Sequence, residues 1–283
     1  MTVRRPTVAG RDLGSELREI REERGLSMRE VARRLDWPAS KLSKIETGKQ
    51  GTKREDVASL LAIYGITGQR RDYLVNKAGK VDKPGHWEKS GLDGGLSRET
   101  RTLIRLERDA IQIQSVEPLL IPGLLQLPEY TRALMKACGV PEQDIEVRVA
   151  ARLSRQAILS REPGPAFQAF LDESALRRPV LPPKLMARQL RHLVETAERP
   201  NVTLRALPFS LGAHNGLDGS FMLLDLPEQK SVVLLEHKIC ALFLEDEEEI
   251  KFFRKEVERL NEVALTHVDS INLIAQIAKE LEE

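Results

Sequence analysis

At 283 residues the chain is long enough for two domains, each with a core of its own. With 41% hydrophobic and 31% charged residues it sits in the ordinary globular range, and no apolar run approaches the roughly 20 residues of a membrane span. The net charge of +1 conceals an asymmetry, since residues 1–75 carry 16 Lys and Arg against 11 Asp and Glu while the remainder carries 28 against 32. A basic end on a mildly acidic body is a modest pointer to a nucleic-acid partner. Aromatics are only 4%, so the core is expected to be built from Leu, Ile, Val and Ala. The N-terminal MTVRRPTVAGRDLG has no apolar stretch behind its arginines and does not read as a signal peptide. Cys138 and Cys240 are too few for a disulfide framework or a cysteine-rich metal site, and a cytoplasmic location is expected.

In chain order, Leu13, Leu17, Ile20 and Arg24 recur at helical spacing, with Gly25 as a stop. Ser27-Met-Arg-Glu30 reads as a capping box, in which the serine oxygen takes an orphan N–H and Glu30 reaches back to the Ser27 N–H. The helix it opens is expected to bury Val31, Ala32 and Leu35. Trp37-Pro38-Ala39-Ser40 breaks the pattern, because proline suits a turn or the first helical position. A short third helix runs to Glu46 with Leu42 and Ile45 inward, and Thr47-Gly48-Lys49 ends it. Thr52-Lys-Arg-Glu55 reads as a second capping box, opening a helix striped by Val57, Leu60, Leu61 and Tyr64 and stopped by Gly65. Residues 1–75 are therefore expected to form one all-α bundle of four to five helices. Residues 76–96 hold Lys-Val-Asp-Lys-Pro-Gly and Gly-Leu-Asp-Gly-Gly, and read as a linker that is helical at its start.

Residues 97–283 read as a second domain, a mixed α/β unit. Leu103, Leu106, Ala110 and Ile113 mark a helix, and the Leu/Ile-rich stretch Val116–Leu127 holds Pro118 and Pro122 and is expected to be a buried non-helical connection. Helices are expected at 128–138, 142–161 and 184–198, and strands at 167–171, 201–207, 220–226, 231–236 and 241–244. Two closing helices, 247–265 and 267–281, carry stripes at Ile250, Phe253, Val257, Leu260 and at Ile271, Ile274, Ala278, Leu281.

Gly25-Leu-Ser-Met-Arg-Glu-Val-Ala-Arg-Arg-Leu followed by Ser40-Lys-Leu-Ser-Lys-Ile-Glu-Thr-Gly-Lys49 resembles the Cro/repressor-type helix-turn-helix family, also called xenobiotic-response-element-like. The resemblance implies a DNA-binding regulator whose recognition helix lies in the major groove with its N-terminal residues on base edges. It implies base contacts at Ala39, Ser40 and Lys44, groove-wall contacts at Lys41 and Ser43, and backbone contacts at Lys49 and Arg54. Leu42 and Ile45, if inward, turn residues 40 and 44 to the opposite face. Met28 stands where the family has a phosphate-bonding Gln, and Arg29 beside it is expected to take over that contact. The resemblance further implies a partly buried ion pair between Arg21 and Glu46, fixing the first helix against the recognition helix. The alternative for the module is a small bundle used for protein contact.

Residues 117–130, together with Asn201-Val-Thr-Leu-Arg-Ala-Leu-Pro-Phe and Gly219-Ser-Phe-Met-Leu-Leu, resemble the domain found behind such helix-turn-helices in bacterial developmental regulators of the WhiJ-like group. That implies no enzymatic activity, a link to small partner proteins and a role in assembly. The segment 117–130 itself reads either as a buried structural connection or as a partner- or ligand-binding groove. His214, Asp218 and Ser220 lie together in a Gly/Asn/Asp cluster that reads first as a turn. The histidines at 86, 192, 214, 237 and 267 are widely spaced in sequence and suggest no metal site, and there is no P-loop. Glu245-Asp-Glu-Glu-Glu249 reads as a helix N-terminus, with an acidic dock for a basic partner as its rival. The expectation is a sequence-specific repressor-type regulator without cofactor, metal or catalysis, a homodimer on a pseudo-palindromic duplex site. Its C-terminal domain is expected to bind a small protein or ligand. An antitoxin-like interaction protein and an enzyme with autoregulatory DNA binding are the alternatives.

Overall fold

The computed structural model describes residues 8–49, 52–78, 87–89, 92–93, 96–228, 230–237 and 240–283. The chain divides into two compact units, Met1–His86 and Trp87–Glu283. The first holds α1 (Val8–Glu23), α2 (Met28–Arg34), α3 (Ala39–Glu46), α4 (Arg54–Ile63) and α5 (Gly68–Ala78). Leu13, Leu17, Ile20, Val31, Leu42, Ile45, Val57, Leu60, Leu61, Tyr64 and Leu74 are buried in one apolar cluster. Each of these helices turns its apolar side to that common centre, as the helical spacing of those residues requires.

Local chemistry sets the helix ends. Gly25 takes φ 65°, and Leu26 N–H donates to the Arg21 carbonyl at 3.1 Å while Gly25 N–H donates to Glu22, closing α1 in a Schellman turn. Ser27 Oγ accepts from Glu30 N–H at 3.2 Å and caps α2. The reciprocal half of the expected box is replaced, because the Glu30 carboxylate takes Arg34 one turn along at 2.5 Å. The second expected box is shifted too: the cap position of α4 falls on Lys53, whose side chain makes no capping bond, and Thr52 is buried. The helical start expected for residues 76–96 is the end of α5. Its Lys77 pairs with Asp12 and with Glu16 of α1, the latter at 3.0 Å. Burial opposes the Lys77 charge, but the two carboxylates outweigh it and hold the ammonium above its ordinary value.

The second unit is a seven-stranded mixed sheet with helices. Its strands are β1 (Trp87–Lys89), β4 (Gln112–Glu117), β5 (Ala166–Asp172), β6 (Val202–Leu207), β7 (Phe221–Leu226), β8 (Lys230–His237) and β9 (Cys240–Leu244), in the order β1-β9-β8-β7-β4-β5-β6. A separate ribbon pairs β2 (Leu92–Asp93) with β3 (Leu96–Ser97). β4, β5 and β6 run parallel, and β7 pairs antiparallel with β4. The helices are α6 (Arg98–Asp109), α7 (Pro128–Ala137), α8 (Glu142–Gln156), α9 (Glu173–Arg177), α10 (Pro183–Ala197), α11 (Glu247–Val263) and α12 (His267–Glu280). Val116, Phe170, Leu207, Phe221, Leu223, Val233 and Leu244 pack with Ile250, Val257 and Leu260 of α11. The start of α12 closes the outer edge of β6: Leu204 N–H donates to His267 Nδ1 at 3.1 Å and Ala206 N–H to Ser270 Oγ at 2.8 Å. That removes an open strand edge.

Two expectations are corrected. The strand β4 was read as the end of a helix and the start of a loop; α6 stops at Asp109, and Ile113 lies in the sheet. Gln114 and Ser115 are buried in β4, and two consecutive polar residues erase the apolar run expected of a central strand. The stretch read as a linker contains β1, which pairs with β9, and the β2–β3 ribbon. Its residues 79–86, 90–91 and 94–95 lie outside the described residues, as do residues 1–7 of the N-terminal stretch. The short helix α9, capped by Asp172 accepting from Ser174 N–H, was not expected at all. Among the described residues no helix is long and apolar enough to cross a membrane.

Candidate functional site

The site of the first unit is built on the crossing of α1 and α3. A Cβ at Gly14 would stand 2.4 Å from the Ile45 carbonyl oxygen and 2.7 Å from that of Glu46, so the two helices meet at a distance that only glycine permits. Gly48, at φ 66°, ends α3 against Arg11, where a Cβ would stand 2.8 Å from the Arg11 backbone. Beside this contact Arg21 Nε donates to Glu46 Oε1 at 2.7 Å and Arg21 Nη2 to Glu46 Oε2 at 2.9 Å. Arg21 Nη1 donates to the Leu26 carbonyl at 2.8 Å, so one guanidinium ties α3 to the turn between α1 and α2. Both side chains are buried, at 7% and 3% exposure. The bond to Glu46 raises the Arg21 pKa further. Burial also raises the pKa of Tyr64, whose hydroxyl has no hydrogen-bond partner among the described residues.

With Leu42 and Ile45 fixed inward, Ala39, Ser40 and Lys44 are exposed and Ser43 is half-buried. Pro38 caps α3 without a side-chain bond, which leaves its first amides for a ligand of the helix N-terminus. Arg29 at the start of α2, Lys49 and Arg54 at the start of α4 are all exposed, and Met28 is 41% exposed. Lys41 differs from its expected place at the groove wall. Its Nζ donates to Asp56 Oδ1 at 2.6 Å and sits 3.7 Å from the centroid of the Trp37 ring, so it holds α3 to α4. Two features that organise this site were missed in the sequence, the Gly14 crossing and the Lys41–Asp56 tie. A glycine within a helical pattern was the one visible signal.

In the second unit His214, Asp218 and Ser220 do not come together. His214 Nε2 is bonded to Asp172 Oδ2 at 2.9 Å, while Asp218 and Ser220 are exposed. Burial works against ionisation of Asp172, but hydrogen bonds from Ser174 and His214 outweigh it and lower its pKa. The pair pins the 212–219 turn to the end of β5. Residues 118–127 are an irregular, mostly buried segment whose backbone is satisfied by glutamines. Gln126 Nε2 donates to the Ile121 carbonyl, Gln189 accepts from Leu127 N–H and donates to the Leu125 carbonyl, and Gln156 donates to the carbonyls of Gly123 and Gln126. Ahead of it, Glu117 is half-buried at the end of β4. Burial, offset in part by a hydrogen bond from Ser115 and reinforced by Glu236, pushes the Glu117 carboxyl up to about 8.

A family model described as a helix-turn-helix domain matches residues 12–74. A second, described as a domain of unknown function (DUF5753), matches residues 100–276. No curated protein and no solved structure matches the chain.

Arg21→Ala strands a buried carboxylate, at a cost of about 3–5 kcal/mol if burial persists. Hydrogen exchange of the full chain is expected to show lost protection in 8–23 and 39–46, and partial recovery in the double variant Arg21→Met, Glu46→Met, where no charge is left buried. Unchanged protection in Arg21→Ala contradicts the clamp. Glu117 holds its proton in the fold well above the ordinary carboxylate range, so it costs stability as pH rises from about 4.3 to about 8. Glu117→Gln is therefore expected to melt increasingly above the parent as pH goes from 5 to 8, with the difference vanishing at the acid end. A pH-independent difference contradicts the buried protonated carboxyl.

Proposed function

Because the chain belongs to the DUF5753 family and carries a helix-turn-helix domain ahead of that region, we propose that it is a sequence-specific transcriptional regulator of the xenobiotic-response-element-like kind. The observation that carries this reading is the outward face of α3, with Ala39, Ser40 and Lys44 exposed on a helix whose other side is locked by Leu42, Ile45 and the Arg21–Glu46 bond. Ser40 and Lys44 read bases: Lys44 is long enough to reach guanine O6 or N7, and Ser40 donates to or accepts from several bases. Arg29, Lys49 and Arg54 anchor phosphates, and Ser43 meets the groove wall. The resemblance of 117–130 to the WhiJ-like developmental regulators supports a non-catalytic C-terminal unit that senses a ligand or small protein.

One module reads one half-site, so two copies acting as a dimer match a pseudo-palindrome with half-sites roughly 10 bp apart. The closing helices support a dimer surface. Phe252 and Val263 of α11 and Val268 of α12 are exposed large apolar side chains, and such groups are favoured at interfaces. Phe252→Asp with Val263→Asp is expected to turn a dimer into a monomer in sedimentation. A parent chain that sediments as a monomer both free and on its duplex contradicts the dimer.

The DNA reading is tested by titrating operator variants at several salt concentrations. Lys44→Ala is expected to cost about 1–3 kcal/mol on the preferred duplex and to relax preference at one base pair. Lys49→Ala is expected to weaken binding to all duplexes alike and to lower the salt slope by about 1. If Lys44→Ala weakens preferred and random duplex equally, Lys44 is a phosphate contact and the recognition face is misplaced.

A further inference from the structure

The Arg21–Glu46 bond grips α3 at its last residue, whereas Ala39 and Ser40 stand at its start, where no side chain caps the helix. An α-helix rises about 1.5 Å per residue, so Ser40 lies about 9 Å along the axis from the clamp and Lys44 about 3 Å. A small tilt of α3 about Glu46 therefore moves Ser40 roughly three times as far as Lys44. Precise presentation of Ser40 needs a second support near the start of the helix.

The structure supplies one through Lys41. Asp36 takes φ 52°, Trp37 N–H donates to the Ala32 carbonyl at 2.9 Å and Asp36 N–H to the Arg33 carbonyl at 3.3 Å, which closes α2 in a Schellman turn. The Trp37 side chain is half-buried against the apolar cluster of the unit. Lys41 precedes the inward Leu42 by one residue and the inward Ile45 by four, which sets it on the flank of α3 beside the core. Its Nζ sits 3.7 Å from the centroid of the Trp37 ring and donates to Asp56 Oδ1 at 2.6 Å. Asp56 belongs to the first turn of α4, where the helix dipole favours a carboxylate. The two side chains are 29% and 17% exposed, so the pair is partly withdrawn from water and from screening by salt. One ammonium thereby ties the start of α3 both to the turn before it and to α4.

We propose that Lys41 is a positioning residue for base recognition. It sets where Ser40 stands in the groove without itself touching DNA, and Asp56 and Trp37 act through it. The Arg21–Glu46 clamp governs Lys44 at the other end of the same helix. This rests on the reading of α3 as the recognition helix and assigns its two ends separate supports. An ammonium already paired with a carboxylate and covered by a ring displaces no counterion from a phosphate, so Lys41 adds affinity for no duplex in particular.

The test uses the full chain with a duplex enriched by the parent from a random pool, its single-base variants and random duplex, each titrated at several salt concentrations. Ser40→Ala and Lys44→Ala first identify the base pair at which each residue discriminates. Lys41→Met is expected to lower the ratio of preferred to random affinity about tenfold, within the worth of one base reading. That loss falls at the base pair of Ser40, while discrimination at the base pair of Lys44 and the salt slope are kept. Asp56→Asn removes a charge of the opposite sign and is expected to lower the same ratio at the same base pair. Lys41→Arg, which can still pair with Asp56 and stack on Trp37, is expected to restore most of it. Should Lys41→Met fail to fold, Asp56→Asn carries the same comparison. If Lys41→Met weakens preferred and random duplex alike and lowers the salt slope by about 1, Lys41 is a phosphate contact and the positioning role is overturned. Full preference in Lys41→Met or Asp56→Asn, or equal loss at both base pairs, also overturns it. A parent that enriches no preferred duplex removes the DNA reading itself and the positioning role with it, whereas variants that keep the preference of a discriminating parent remove the positioning role alone.

Discussion

Glu46 is the last residue of α3, and its carboxylate is gripped at both oxygens by Arg21, which also bonds the carbonyl of Leu26. One buried guanidinium thereby fixes three pieces of backbone: α1, the turn behind it and the end of α3. The pair is not a large net source of stability, since desolvating both charges offsets most of their attraction. What it supplies is geometry. Only one placement of α3 satisfies both carboxylate oxygens, and the Gly14 crossing removes the side chain that would hold the helices apart. A helix that is to present Ser40 and Lys44 within a fraction of an ångström needs this kind of support from behind.

The same arrangement explains how much of the site was legible in the sequence. Leu42 and Ile45 sit three apart on a short helix that follows Pro38 and ends at Gly48, and that spacing alone turns residues 40 and 44 outward. The caps were less legible. A Ser-x-x-Glu pattern states that a box can form, not that Glu30 prefers Ser27 to an arginine one turn along. Lys41 was placed by its neighbours in sequence, whereas its partners Trp37 and Asp56 come from outside its helix. The Gly14 contact is invisible locally, because it depends on which helix crosses at that point.

In the second unit the strands that alternate or run apolar were legible, from β5 to β9. β4 was not. It lies where the parallel half of the sheet meets the antiparallel half, and it carries Gln114, Ser115 and Glu117. Those polar groups find partners across the sheet: Gln114 donates to Gln168, which donates to Asn261 of α11. β1 was hidden differently, by a glycine-rich context that reads as linker until its pairing with β9 is known.

The central claim is that α3, held by the Arg21–Glu46 bond, reads base sequence. The most direct measurement is selection of bound duplexes from a random pool by the full chain at 0.15 M salt, followed by sequencing of the bound fraction. The account predicts enrichment of an inverted repeat whose half-sites lie roughly 10 bp apart. A bound fraction with no sequence bias, captured by charge alone, contradicts it.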